Sequence, residues 1–302
     1  MSSVLLVAHH DRLEAGALAR VAADWLRDHG HQPWMMADDA AALALDDLTA
    51  DHDPGSADLA LSLGGDGTML RTVKVLGEHA VANSTAVPPA VPVIGVNIGL
   101  LGYLTEVEPD ALCAALERYF AGATAGQWHL DERMLLATSV TRAATSGVDH
   151  DPASTFFALN EAVIEKQESG HTVRLQVWID GTPFTSYAAD GLILATPTGS
   201  TAYSMSARGP VVSPRLRAVL LTPVSPHMLF DRSLVIDPRE LVEVEVIGHR
   251  SATLSIDGQR ATTLLMGDRV SVAPARHVAS FVRFGDRRFH QILKAKFGLA
   301  DR

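Results

Sequence analysis

Residues 63–68 read LGGDGT, an acidic side chain set inside a run of glycines. Gly64, Gly65 and Gly67 carry no side chains, so backbone N–H groups can approach a ligand closely, and such a loop at a strand-to-helix junction suits phosphate. Asp66 would repel that phosphate. Either the loop is a tight turn with Thr68 capping the next helix, or the carboxylate accepts a proton from a hydroxyl that attacks phosphorus or holds a metal ion. The GxxxxGK[ST] spacing with its Lys is absent, and so is GxGxxG, which sets aside the Walker A loop and the dinucleotide fingerprint.

Two further stretches could carry chemistry. Residues 190–206, DGLILATPTGSTAYSMS, run an apolar strand into small hydroxylated residues broken by Pro197 and Gly199. Thr196, Thr198, Ser200, Thr201, Tyr203 and Ser204 crowd hydroxyls around one glycine, which would give donors for phosphate and ribose and an aromatic ring for stacking; a plain loop is the bland alternative. In ALNEAVIEK, Asn160 and Glu161 interrupt a strand. A carboxylate beside an amide suits a sugar diol, although an exposed strand end would look the same.

The elements that must position these groups fall into two textures. From Val4 to about Phe120, short apolar runs alternate with helical periods, as in parallel β-α units. VLLVA reads as a strand, and DRLEAGALARVAADWLRDHG as a helix with Asp11 as N-cap and Gly30 as stop. LALSL reads as a strand, TMLRTVKVLGE as a helix, VPVIGVNIG as a strand, and DALCAALERYF as a helix with Cys113 on its buried side. The expected architecture is a doubly wound α/β sheet with ligands beyond the carboxyl ends of its strands. Beyond Trp128 the period becomes two: Val173, Leu175, Val177 and Ile179 oppose Arg174, Gln176, Trp178 and Asp180, and Val242, Val244 and Val246 oppose Glu243 and Glu245. That alternation predicts an antiparallel β-sandwich. Helical spacing returns at Phe289, Ile292, Leu293 and Phe297. The expected domains are 1–128 plus a tail at 283–302 for the α/β part, and 129–282 for the sandwich.

Composition excludes several functions. A 302-residue chain with 47% hydrophobic and 20% charged residues is globular, and its formal charge of −10, without a Lys/Arg cluster, argues against nucleic acid. One cysteine excludes an intrachain disulfide. No apolar run approaches 18 residues and the N-terminus lacks a basic lead, so the expected setting is the cytoplasm, without a membrane partner. The acidic run at 37–53 reads as a solvated surface. His9 and His10 are adjacent on an extended chain and point apart, a poor arrangement for sharing one ion.

GGDGT, NIGLLGYLTEV, NEAVIEK, DGLILATPTGSTAYSMSARGP and SIDGQ together resemble the NAD kinase family, in its order and spacing, over nearly the whole chain. TPTGSTAY is the specific signal, since GGDGT also occurs in lipid and sphingosine kinases. The resemblance implies phosphoryl transfer from ATP, or polyphosphate, to the 2′-hydroxyl of the adenosine ribose of NAD, giving NADP. It also implies a divalent metal, Mg²⁺ or Mn²⁺, with unknown protein ligands, and a homodimer or homotetramer. Carried over by position, Asp66 is the proton acceptor, Gly67 and Arg71 lie near nucleotide phosphates, and Asn160 and Glu161 hold the ribose at the nicotinamide end. Asp190, Thr201, Ala202, Tyr203, Ser204, Met205 and Ser206 bind further parts of the dinucleotide, and His171 and Gln259 match less distinctive positions. The chain departs from the common pattern at Tyr103, where phenylalanine is frequent, and at HHDR after the first strand, on the phosphoryl-donor side. A lipid kinase would share GGDGT but needs an apolar acceptor cleft; a non-catalytic dinucleotide sensor would have no use for Asp66.

Overall fold

The computed structural model of the protein describes residues 1–82, 90–99, 102–143, 155–285 and 288–299; Leu100 and Leu101 of NIGLLGYLTEV, and tail residues 286, 287 and 300–302, lie outside them. The chain divides into two compact units, Met1–Glu132 with Ala279–Arg302, and Arg133–Val278.

The first unit runs β1 (Ser3–Ala8), α1 (Leu13–Asp28), β2 (Gln32–Trp34), α2 (Ala37–Ala42), β3 (Leu59–Gly64), α3 (Asp66–Ala82), β4 (Pro92–Asn97), α4 (Leu112–Phe120) and α5 (Ala123–Gly126). Its strands pair in parallel in the order β2-β1-β3-β4, and Ser280 and Phe281 add a further parallel pairing to Pro92 and Val93. Val4 to Ala8 and Leu59 to Leu61 are all fully buried, as expected for strands covered on both faces by crossover helices. Ala15, Ala19, Ala22, Ala23 and Leu26 form the buried stripe of α1. That helix ends as expected: Gly30 takes φ +76° while the Gly30 and His31 N–H groups return to Arg27 and Leu26. Its start differs from expectation. Arg12, not Asp11, is the N-cap residue, with extended backbone, and its guanidinium is drawn onto the Ile98 carbonyl. Cys113 is only half-buried, because Leu112, Ala115 and Leu116 supply the packed face of α4.

The second unit holds β5 (His129–Thr141), β6 (Thr155–Ala158), β7 (Glu161–Lys166), β8 (Val173–Ile179), β9 (Thr182–Ala189), β10 (Gly191–Ala195), α6 (Tyr203–Ser206), β11 (Val219–Val224), β12 (Leu234–Ile236), β13 (Val242–Val246), β14 (Ala252–Ile256), β15 (Gln259–Leu264) and most of β16 (Arg269–Arg283); α7 (Phe289–Phe297) follows in the first unit. One antiparallel sheet has the order β12-β11-β10-β7-β14-β15, and β13 pairs antiparallel with both β8 and β16. Ile164, Leu192, Leu194 and Leu254 from the first share one buried core with Val173, Leu175, Val177, Val244 and Val272 from the second. This is the sandwich that period-two alternation predicts. Asp180-Gly181 and Asp257-Gly258 close the β8-β9 and β14-β15 hairpins, all four residues at positive φ as a type I′ turn requires.

Candidate active site

Strand β3 ends at Gly64 and α3 starts at Asp66, so GGDGT joins a buried parallel strand to a helix of 17 residues at the carboxyl end of the sheet. A Cβ at Gly64 would strike the Thr68 side chain, which is buried beneath the loop. The Thr68 N–H donates to the Gly65 carbonyl at 3.0 Å, closing the first turn. Gly67 is exposed at the rim. Asp66 is half-exposed, and neither of its oxygens is spent on α3: Oδ2 accepts the Tyr103 N–H at 2.8 Å and Oδ1 the Leu104 N–H at 2.9 Å. Gly102 makes that seat possible, because a Cβ there would collide with Asp66 Oδ1 and Thr105 Oγ1. The Lys296 ammonium lies 4.2 Å from the centroid of the Tyr103 ring. Burial raises the Tyr103 hydroxyl above its ordinary range, with the Asp66 charge adding to the shift.

Beside the loop lies a cavity of about 360 Å³ between the ends of β1 and β3, lined by His9, His10, Arg12, Gly65, Gly67 and Arg71 among others. HHDR therefore faces GGDGT. Arg71 lines the cavity, but its fork is held: Nη1 and Nη2 donate to Asp39 at 2.6 and 2.9 Å, and Nη2 also donates to the Ala8 carbonyl at 2.7 Å. His10 Nε2 lies 2.8 Å from the same Asp39, whereas His9 Nδ1 accepts the Asp11 N–H. Asp39 is 1% exposed. It belongs to the acidic run that reads as solvated surface, and sequence gave no sign of its partners, which lie 29 and 32 residues away.

In the second unit Asn160 and Glu161 stand where β7 begins. The segment is gripped from both sides. Asp257 Oδ2 accepts the Leu159 N–H at 2.8 Å, and Oδ1 accepts those of Asn160 and Glu161 at 2.8 and 3.0 Å. Opposite, the Thr196 N–H donates to the Asn160 carbonyl at 2.8 Å and Thr196 Oγ1 to the Leu159 carbonyl at 2.6 Å. A Cβ at Gly199 would run into the Asn160 carbonyl, which fixes glycine at the centre of TPTGS. Glu161 is buried, and its Oε2 has no hydrogen-bond partner among the described residues. Burial foremost, then the Asp257 charge, pushes its pKa up to about 8, against the pull of the Tyr203 N–H.

The hydroxyl-rich run is partly turned inward. Thr196, Thr198, Ser200 and Ser204 are buried. Ser200 Oγ bonds both the carbonyl and the N–H of Val212, and Ser204 Oγ lies 3.1 Å from Thr222 Oγ1. These side chains build the turn and do not present donors outward, contrary to the reading of the whole run as a ligand-facing set. Tyr203 and Ser206 are exposed, and Thr201, Ala202 and Met205 are half-buried. Asp190 pairs with Lys166 at 2.5 Å. Lys166 in turn lines a polar cavity of about 280 Å³ with the exposed His171 and His249 and the half-buried Arg250. Gln259 is exposed just beyond the Asp257-Gly258 turn. Among the described residues no group of three or more His, Cys, Asp or Glu is placed to hold a metal ion, and no helix is long and apolar enough to cross a membrane.

The sequence profile of the ATP-NAD kinase N-terminal domain matches residues 4–124, and that of the C-terminal domain matches residues 159–284. The NAD kinase of Heliobacterium modesticaldum is 38% identical over 305 residues, 98% of each chain, and that of Syntrophotalea carbinolica 32% identical over 308 residues, the whole of each. Among solved structures, yeast NADH kinase complexed with NADH superposes with a TM-score of 0.83 at 24% identity, covering 100% of this chain and 89% of that one. An Archaeoglobus fulgidus NAD kinase in complex with ATP gives 0.68 at 21% identity, covering 99% of each. At those identities the two structures speak to the fold.

Proposed function

The chain belongs to the NAD kinase family, and from that premise we propose that it transfers a phosphoryl group from ATP, or polyphosphate, to the 2′-hydroxyl of the adenosine ribose of NAD, making NADP. It is a phosphotransferase with an alcohol group as acceptor.

The observation that carries the reading is the seat of Asp66. A carboxylate held by two backbone N–H groups at the mouth of a glycine loop keeps a fixed direction and retains lone pairs to accept the proton of an attacking hydroxyl. Around it, the amides of the loop and of the first turn of α3 suit the anionic donor phosphates, with Gly67 giving close approach and Arg71 adding positive charge at the cavity wall. Asn160 and Glu161 hold ribose hydroxyls. Asp190, the exposed part of 201–206, His171 and Gln259 engage the rest of the dinucleotide. In this reading the α/β unit binds phosphate and the β unit binds dinucleotide.

A divalent cation, Mg²⁺ or Mn²⁺, fits the donor set: with no ready-made cage of protein ligands among the described residues, it would be held by donor phosphate oxygens together with Asp66. Such an ion neutralises the charge that develops on the transferred group. A homodimer or homotetramer in the cytoplasm completes the proposal and rests on the family resemblance.

Incubation of the purified chain with NAD and ATP, with NADP read by an NADP-specific dehydrogenase, tests the assignment. No NADP with ATP or polyphosphate, but binding of NAD, would make the chain a sensor; phosphorylation of diacylglycerol in its place would make it a lipid kinase.

A further inference from the structure

We propose that Asp257 is a positioning residue for the acceptor, holding the backbone of 159–161 so that the Asn160 amide and the Glu161 carboxyl are presented together to a ribose diol. The inference rests on the NAD kinase reading and adds a residue to it.

Position 257 has two separable requirements. The first is conformational: it is the leading residue of a type I′ turn at φ +47°, which Asn or Gly would satisfy as well as Asp. The second is chemical. Three N–H groups converge on the side chain, one on Oδ2 and two on Oδ1, and only a carboxylate offers an acceptor at both atoms. The sister turn at Asp180-Gly181 shows the difference, since there the side chain takes a single N–H, from Leu241. Asp257 also returns its own N–H to the Glu161 carbonyl at 3.0 Å, so turn and strand are tied in both directions.

The clamp carries an electrostatic cost. A negative charge is placed beside the buried Glu161 carboxyl, which a purely structural turn would avoid by using asparagine. What the arrangement secures is direction. Every bond that fixes the segment, from Asp257 on one side and Thr196 on the other, goes to backbone atoms, and none uses the Asn160 amide or the Glu161 carboxyl.

The test compares Asp257→Ala, Asp257→Asn and, as turn control, Asp180→Asn. Each is assayed for KM of NAD, KM of ATP, kcat at saturating substrates, calorimetric NAD affinity and thermal midpoint. Loss of charged hydrogen bonds that orient a binding group is expected to raise KM and Kd for NAD about tenfold or more in Asp257→Ala. Asp257→Asn, which keeps one acceptor, should recover part of that loss. The KM for ATP and kcat should stay within about twofold in both, and Asp180→Asn should match wild type. Asp257→Ala with wild-type KM and Kd for NAD overturns the proposal. So does a loss shared equally by kcat and both KM values, or failure of both Asp257 variants to fold, each of which makes Asp257 a stability residue. Wild type that neither binds nor phosphorylates NAD overturns the functional reading first and this proposal with it.

Discussion

The Tyr103 N–H donates to Asp66 across 37 residues of sequence, with the Leu104 N–H alongside on the other oxygen. The catalytic candidate is thus aimed by a neighbouring loop and not by its own helix. Gly102 is the residue that lets the loop come so close. Gly102→Ala would place a methyl against Asp66 Oδ1 and Thr105 Oγ1, the ends of two short side chains. Displacing a reacting group by about 1 Å costs about 10²-fold in rate. The expected result is a kcat lower by that order, with calorimetric affinity for NAD close to wild type. Unchanged kcat would show that the seat does not aim Asp66.

Asp66→Asn separates proton acceptance from shape. The amide is nearly isosteric with the carboxylate, but in the seat its NH₂ meets one of the two N–H groups that now donate to oxygen. Stability should fall by about 1–3 kcal/mol, the cost of an unmet polar group, and turnover by about 10²-fold, the lower part of the general-base range for a loose phosphoryl-transfer transition state. Denaturant unfolding and NADP production at saturating NAD measure the two losses independently. Turnover within about threefold of wild type would reduce Asp66 to a turn residue.

Glu161 predicts a pH dependence of both stability and binding. Its carboxyl titrates near 8 in the folded chain and near 4.5 when exposed, so folding favours the protonated form. Its contribution to stability is therefore full below about 4.5 and is lost as pH rises toward about 8, with a slope approaching about 1.4 kcal/mol per pH unit. The groups facing it are the Asp257 carboxylate, which raises the value, and the Tyr203 N–H, which lowers it. To accept from both hydroxyls of a ribose diol, one at each oxygen, the group must ionise, so NAD affinity should climb up to about tenfold per unit over the same window, with a proton released on binding. Glu161→Gln should flatten both curves. Calorimetry in buffers of different ionisation enthalpy would detect the proton, and its absence in wild type would contradict the assignment.

What could be read from the sequence was local. The Gly30 stop, the buried parallel strands and the alternating sandwich strands each depend on residues a few positions apart, and they appear where the patterns place them. The GGDGT loop was legible for the same reason. The partners were not. Asp257 reaches residues 96 to 98 positions away, and nothing in SIDGQ says that its carboxylate faces ALNE. Hydroxyl density in TPTGSTAYSMS likewise cannot separate groups that face a ligand from Ser200 and Ser204, which are consumed inside the turn. Asp39, in a run that looks like solvated surface, turned inward because Arg71 and His10 meet it there.

That last cluster yields a prediction for the donor side. Asp39 is 1% exposed and carries a forked bond from Arg71, which is itself 25% exposed. Removing one partner of such a pair leaves a charge without its counterion in a poorly solvated place, at a cost of about 3 kcal/mol, less here because Arg71 reaches water. Asp39→Ala should therefore lower unfolding stability by about 1–3 kcal/mol. Arg71 would also lose the fork that fixes its direction along the cavity wall beside Gly65 and Gly67. If that direction serves the donor phosphates, the KM for ATP should rise about tenfold while the KM for NAD stays near wild type. Arg71→Lys, which keeps charge but not the planar fork, should move the ATP value the same way with a smaller loss of stability. Steady-state kinetics with each substrate varied in turn decides the matter. A variant that is less stable yet has an unaltered KM for ATP would assign Asp39 and Arg71 to the fold alone and leave donor recognition to the loop amides and Arg12.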